Sequence, residues 1–227
     1  MNAIIDNREQ RLTGRVEQYL AEGAISARFA VGYLFLDGLV PLRTHLEHLN
    51  STEIIIGNVV NRLTEEQVRE EASARSRGGE EWVRDQEDVA ATLRETHDRA
   101  AVETALNLRN TLEALAHTPE NQALLLTLAR RVADGGLKVR LYTQGRIHSK
   151  LTLIGYPAGT THGEALAIVG SSNLTLGGPA HPTELNVVVQ DRESLAALDR
   201  WFKHLWKLSQ DFHRELFDEL CLCWAMR

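Results

Sequence analysis

Cysteine and long apolar runs are scarce in this chain, and each shortage excludes a class of protein. Cys221 and Cys223 are the only cysteines among 227 residues, and they are too close in sequence for a disulfide between them to cross-link distant parts of a fold. This excludes a disulfide scaffold and favours a reduced, cytoplasmic protein. No apolar run approaches the roughly 20 residues of a membrane-spanning helix. The first ten residues, MNAIIDNREQ, also lack the pattern of a signal peptide.

A surplus of positive charge is missing as well. The formal net charge is −6, which counts against a large basic surface for gripping long nucleic acid. It leaves room for a local basic pocket, because Arg140, Arg146 and Lys150 cluster while acidic residues concentrate between Glu65 and Glu103. The length and a hydrophobic content of 43% predict a soluble globular protein with one sizeable core.

Polar residues stand at the ends of three apolar runs in the second half of the chain. His148 and Lys150 flank Ser149 and open a strand-like run, and alternation in a strand would place both on one face. Ser171 and Asn173 follow a second run in a Gly-Ser-Ser-Asn turn, and Glu184 precedes a third. An imidazole, an ammonium, an amide and a carboxylate are suited to the chemistry of a phosphate ester.

The apolar periodicity predicts an α/β fold. Residues 8–23, 39–49 and 122–132 have helical spacing, whereas residues 27–36, 53–60 and 137–142 read as buried strands. Strand–helix–strand units of this kind predict a mixed, mostly parallel sheet with helices on both faces. Residues 62–134 are charged and helical in composition, so we predict one domain over 1–227 with a helical insertion at 62–134.

The ordered polar residues resemble the signature of the phospholipase D superfamily, which is His-x-Lys, four residues, Asp, then Gly-Ser-x-Asn and a downstream Glu. Five positions match, namely His148, Lys150, Ser171, Asn173 and Glu184. The Asp position is occupied by Gly155; in the family this Asp supports structure more than chemistry. The resemblance is strong over 136–189. It is weaker over 28–58, which resembles the first strands of family members fused to bacterial helicases.

This resemblance implies a metal-independent phosphodiesterase without a cofactor, most simply a nuclease acting on DNA. The His148 imidazole would attack phosphorus and form a covalent phosphohistidine, with Glu184 holding its tautomer. Lys150 and Asn173 would bind the non-bridging oxygens with help from Ser171. Because the chain has one His-x-Lys motif and the mechanism needs two histidines, the resemblance also implies a symmetric homodimer.

Two other functions compete with the nuclease. One is a non-catalytic module that binds phosphate or nucleic acid within a larger helicase-type protein, which the acidic charge and Gly155 favour. The apolar end of the chain, Cys223 to Arg227, also predicts an N-terminal domain of a longer protein with a helicase region after it. The other is a lipid phosphodiesterase, against which the absence of a basic amphipathic membrane helix argues, so no membrane partner is expected.

Several further residues have ordinary structural explanations. His45 and His48 have helical spacing but no evident third metal ligand, so we expect no metal site. His162 and His181 lie in predicted loops beside the motif, where they could border the site, and a surface position is the simpler expectation. Three tryptophans have helical spacing and are expected in the core or at an interface: Trp201, Trp206 and Trp224. Tyr33 and Tyr142 could line the site, and core packing explains them as well.

Overall fold

The computed structural model describes residues 4–6, 11–34, 36–57, 82–145, 147–172 and 184–227, and within them eight strands form one sheet. The strands are β1 (Ile4–Ile5), β2 (Ser26–Val31), β3 (Ser51–Gly57), β4 (Leu137–Tyr142), β5 (Lys150–Gly155), β6 (Ala165–Gly170), β7 (Asn186–Val189) and β8 (Gln210–Asp211). The helices are α1 (Leu12–Ala21), α2 (Arg43–His48), α3 (Trp82–Ala114), α4 (Pro119–Ala133), α5 (Arg192–Leu208) and α6 (His213–Leu222). Short 3₁₀ helices span Asp37–Leu39 and Trp224–Met226. No helix in these ranges is long and apolar enough to span a membrane.

The sheet has the order β1-β7-β6-β5-β2-β3-β4-β8, and it confirms the predicted mixed α/β fold. The expectation that it is mostly parallel is wrong. Only β2, β3 and β4 pair in parallel, and the other neighbouring strands described here are antiparallel. The strand–helix–strand pattern was read from the β2–α2–β3 region, where it holds. Between β5 and β6 the chain has only the loop 156–164, without a crossover helix, so the chain returns antiparallel.

Helices cover both faces of the sheet, as predicted. One face packs against α1, α2, α3, α4 and α6 in the larger core. The other face packs against α5, whose Phe202 and Leu205 are buried with Ile55, Leu151 and Leu153 in a smaller core. Full burial of each such side chain stabilises the fold by roughly 1.5–3 kcal/mol. The sheet is therefore packed on both faces.

Individual elements follow the sequence patterns closely. Leu12, Val16 and Leu20 form the buried stripe of α1. Thr118 caps α4 by accepting a hydrogen bond from the Asn121 backbone N–H at 3.3 Å, and Pro119 follows it at the first helical position. Asp191 caps α5 in the same way, with its Oδ1 2.8 Å from the Ser194 nitrogen.

The described part of segment 62–134 is helical, as its composition predicted, because α3 and α4 fill most of residues 82–134. Leu124, Leu125, Leu128 and Val132 of α4 are buried in the larger core. Residues 62–81 lie outside the described ranges. The division of the chain into one domain with an insertion stays a prediction.

Candidate active site

The strand directions bring six strand ends to one edge of the sheet, which we call the site edge. It contains the last residues of β2, β3, β4 and β6 and the first residues of β5 and β7. Lys150 pairs with Gly170, and Gly170 pairs with Asn186, so three neighbouring strands stand in register there. The segments that carry His148, Ser171 and Glu184 adjoin these three positions along the chain.

His148 and Lys150 lie together at the site edge, although not both within a strand. β5 begins at Lys150, and His148 stands in the irregular segment before it with an exposed side chain. The Lys150 Nζ donates a hydrogen bond to the His148 carbonyl oxygen at 2.8 Å. The ammonium thus folds back over the backbone that carries the imidazole. The expectation that both are strand residues on one face is wrong for His148, because the strand begins only at Lys150.

Two glycines allow the His148 segment to approach the ends of β2 and β3, and the sequence patterns did not reveal them. A Cβ on Gly32 would stand 2.7 Å from the Ile147 carbonyl oxygen and 3.8 Å from the Lys150 Nζ. A Cβ on Gly57 would stand 3.1 Å from the Gly32 carbonyl oxygen and 3.3 Å from the Ile147 Cβ. A side chain at Gly32 would thus collide with backbone, and one at Gly57 would force its neighbours to shift. Gly32 therefore lies directly beside the Lys150 ammonium.

The Ser171 turn is held to the start of β7 by backbone and side-chain bonds. The Ser171 N–H donates to the Leu185 carbonyl, and the Leu185 N–H donates to the Ser171 Oγ, both at 3.2 Å. Ser171 remains exposed. Its hydroxyl thus helps to close the turn, and it also stands at the site edge, where the proposed ligand role would place it. Glu184 is half-buried immediately before Leu185.

Asn186 is the functional-site residue that the sequence reasoning missed. It is 1% exposed, and its Nδ2 donates to the Ser172 Oγ at 2.7 Å and to the Ile5 carbonyl at 3.3 Å. Its Oδ1 accepts from the Ser172 N–H at 3.3 Å. A Cβ on Gly170 would collide with this same Oδ1. A polar residue in the run Leu-Asn-Val-Val-Val was the available signal, since a buried amide needs dedicated partners.

The structure therefore brings four of the five predicted site residues to one edge: His148, Lys150, Ser171 and Glu184. Asn173 lies outside the described residues, as does Arg146. Within the described ranges, no group of three or more His, Cys, Asp or Glu side chains is arranged to hold a metal ion. The absence of a metal from the reaction stays a prediction.

Gly155, which occupies the family's Asp position, lies at the far end of β5 from Lys150. The two residues are five positions apart along the strand, about 16 Å at the usual rise per residue. Gly155 pairs with Ser26 of β2, and a Cβ at this position would collide with the Ser26 hydroxyl. The substitution of Asp by Gly thus removes no group from the site edge.

His162 belongs to a cluster at the opposite edge, so it does not border the site. Its ring stacks obliquely on Tyr156 and meets Tyr19 edge-on, and its Nε2 pairs with Glu22. The Tyr156 hydroxyl donates to the Tyr19 carbonyl at 2.9 Å, and burial raises the pKa of Tyr156 well above its usual value. The cluster ties the loop after β5 to α1. His181 lies outside the described residues.

A comparison with protein-family models finds one described as "Cardiolipin synthase, PLD-like domain", which matches residues 83–206. The match covers more than half of the chain and includes all five predicted site residues. No curated protein matches the chain.

Proposed function

The chain belongs to the phospholipase D superfamily, and we propose that within it this protein is a metal-independent nuclease that hydrolyses DNA. The family assignment itself supports phosphodiester hydrolysis or phosphate binding in general terms. The observation that carries the proposal is the convergence of His148, Lys150, Ser171 and Glu184 at the site edge. These four residues stand at or beside the ends of three neighbouring strands, β5, β6 and β7, at one edge of the sheet.

The proposed reaction has two displacements at phosphorus. A nitrogen of the His148 imidazole attacks the phosphorus atom, and a P–N bond forms while the bond to the leaving oxygen breaks. A second histidine gives its proton to that oxygen. It then takes a proton from water, whose oxygen attacks phosphorus and releases His148 as the P–N bond breaks. Lys150 and Asn173 stabilise the charge on the non-bridging oxygens, Ser171 assists them, and Glu184 orients His148.

The second histidine is proposed to be His148 of another copy of the chain. The sequence holds a single His-x-Lys motif. An exposed His148 at the end of a strand is accessible to a partner related by a two-fold axis. In such a dimer both His148 and Lys150 pairs would face one cleft. This arrangement supplies one nucleophile and one general acid per phosphodiester.

Replacement of His148 tests the proposal against the alternative of a non-catalytic phosphate-binding module. His148→Ala should abolish turnover of single-stranded DNA while binding persists through Lys150 and Asn173. His48→Ala, which removes another exposed histidine, is the matched control and should keep full activity. Quenching at high pH, where phosphohistidine is long-lived, should trap labelled substrate on the wild-type chain only.

The outcomes separate the two functions. A catalytic role for His148 would be refuted if folded His148→Ala protein, free of other nucleases, turned over substrate at the wild-type rate. A wild-type chain that binds oligonucleotide but neither cleaves it nor forms the adduct would support the phosphate-binding module. Cleavage of phospholipid in place of oligonucleotide would instead assign the lipid phosphodiesterase function.

A further inference from the structure

The outer surface of α5 carries a row of basic side chains that the proposed reaction does not use. Arg200, Lys203, His204 and Lys207 are all exposed, and apart from the adjacent pair Lys203–His204 their neighbours in the row are three or four residues apart, so they share one side of the helix. We call these four residues the α5 basic stripe. The Lys203 side chain is 65% exposed, and its Nζ forms an ion pair with the Asp199 Oδ2 at 2.8 Å. The Asp199 Oδ1 also accepts a hydrogen bond from the Arg28 Nη1 at 2.6 Å.

Positive charge exceeds negative charge on this side of the molecule, in contrast to the net charge of −6 for the whole chain. Along the second half of α5 and on the sheet face beneath it, the described residues include six basic and three acidic side chains besides His204. These are Arg28, Lys138, Arg140, Arg200, Lys203 and Lys207, against Glu53, Asp199 and Asp211. This face is therefore a local basic region within an acidic chain.

The apolar side of α5 favours a nucleic acid over a lipid membrane as the anionic partner of the stripe. Phe202 and Leu205 are buried against the sheet, so the apolar side of this amphipathic helix is already occupied. A helix that binds lipid must instead insert its apolar side into the bilayer. Trp201 is 37% exposed beside the stripe, and an exposed indole offers a flat surface on which an unpaired base can stack.

The stripe ends near the site edge. Arg140 of β4 donates to the Trp206 carbonyl and lies over the Trp206 ring, with its guanidinium carbon 5.3 Å from the ring centroid. Two residues further along β4, Tyr142 stands opposite Gly57 at the site edge. That step is about 7 Å. Lys207 follows Trp206 directly, so the stripe approaches the same edge as His148.

We infer that the α5 basic stripe, with Trp201, is a binding surface for the backbone of single-stranded DNA that guides the strand toward the site edge. The inference rests on the proposed function for the identity of the polymer. Basic side chains neutralise successive phosphates, and Trp201 stacks on one base. The surface holds the strand beyond the reacting phosphodiester, so it contributes to long substrates and not to short ones.

A charge-removal variant tests this directly. Arg200→Ala/Lys203→Ala/Lys207→Ala is compared with Arg99→Ala/Arg130→Ala/Arg214→Ala, which removes three exposed basic side chains from helices on the other face. Fluorescence anisotropy with a labelled oligothymidine, measured over a range of salt concentrations, gives the affinity. The stripe variant should bind at least about tenfold more weakly at low salt. The negative slope of the log association constant against log[salt] should become shallower by about 2, the value for three lost phosphate contacts on a single strand. The control variant should match the wild type.

Two further measurements keep the binding result separate from catalysis. Trp201→Ala should weaken oligothymidine binding without a change in the salt slope, because stacking releases no counterions. Hydrolysis of bis(4-nitrophenyl) phosphate should be equal in the stripe variant and the wild type, while KM for the oligonucleotide rises. Failure of the proposed function would appear as absent hydrolysis in the wild type, and the anisotropy comparison would still test the stripe.

Three results would overturn the inference. The first is that the stripe variant unfolds thermally like the wild type and keeps the wild-type affinity and salt slope. Equal losses in the stripe and control variants would show general charge attraction without a defined surface. Loss of binding to anionic phosphatidylglycerol vesicles with oligothymidine binding intact would assign the stripe to a membrane.

Discussion

Replacement of Asn186 by alanine should weaken the fold and the site together. The side chain makes three hydrogen bonds in a buried position: two donated, to the Ser172 hydroxyl and the Ile5 carbonyl, and one accepted from the Ser172 N–H. A buried hydrogen bond contributes about 1 kcal/mol net, so Asn186→Ala should lower the free energy of unfolding by about 3 kcal/mol. For a protein of this size that corresponds to a fall in Tm of about 6–12 °C.

The measurement is urea unfolding followed by circular dichroism, with Asn107→Ala as the control. Asn107 is exposed on α3, so its removal should change the free energy of unfolding by no more than about 0.5 kcal/mol. Because two of the three bonds hold Ser172, next to Ser171 in the turn, turnover should also fall at temperatures where the variant is still folded. An Asn186→Ala protein within about 0.5 kcal/mol of the wild type would refute the view that this amide holds the turn.

Three other predictions concern assembly, metals and pH. The pure protein should sediment as a dimer at micromolar concentration, and an active monomer would rule out the shared pair of His148 residues. Hydrolysis should survive excess EDTA, since Glu184 is the only carboxylate predicted in the site; loss of activity that magnesium or manganese restores would place the reaction in another class. Burial opposes the charged form of Asp199, but hydrogen bonds from Lys203 and Arg28 outweigh it and lower the pKa of Asp199. The folded state thus gains stability above the unfolded pKa of about 3.9 and loses it as pH falls through the folded value, so Asp199→Asn should cost about 1 kcal/mol at pH 7 and nothing measurable well below pH 3. An equal cost at both pH values would contradict this assignment.

The sequence predicted the site in outline because its parts depend on local patterns. Apolar runs located the strands, and the ends of those strands carried His148, Lys150, Ser171 and Glu184. The antiparallel half of the sheet was not predicted, because pairing between β5, β6 and β7 depends on loop length and not on the strands themselves.

The close contacts of the site were beyond the reach of pattern reasoning. Gly32 is an ordinary turn residue in the sequence, and only the approach of Ile147 shows why it has no side chain. Asn186 likewise depends on Ser172 and on Ile5, which stands at the opposite end of the chain. Such contacts join residues that no local window contains.

The central position of β2 has a consequence for how the protein is made. Its partner on one side is β3, which follows shortly in the chain, but on the other side Ala27 pairs with Ile154. During synthesis, one edge of β2 therefore stays unpaired until β5, in the second half of the chain, has been made. Closure over such a distance is slow, and an open strand edge invites pairing with other chains. We expect shortened chains that stop before β5 to aggregate, and refolding of the whole protein to give its best yield at low concentration.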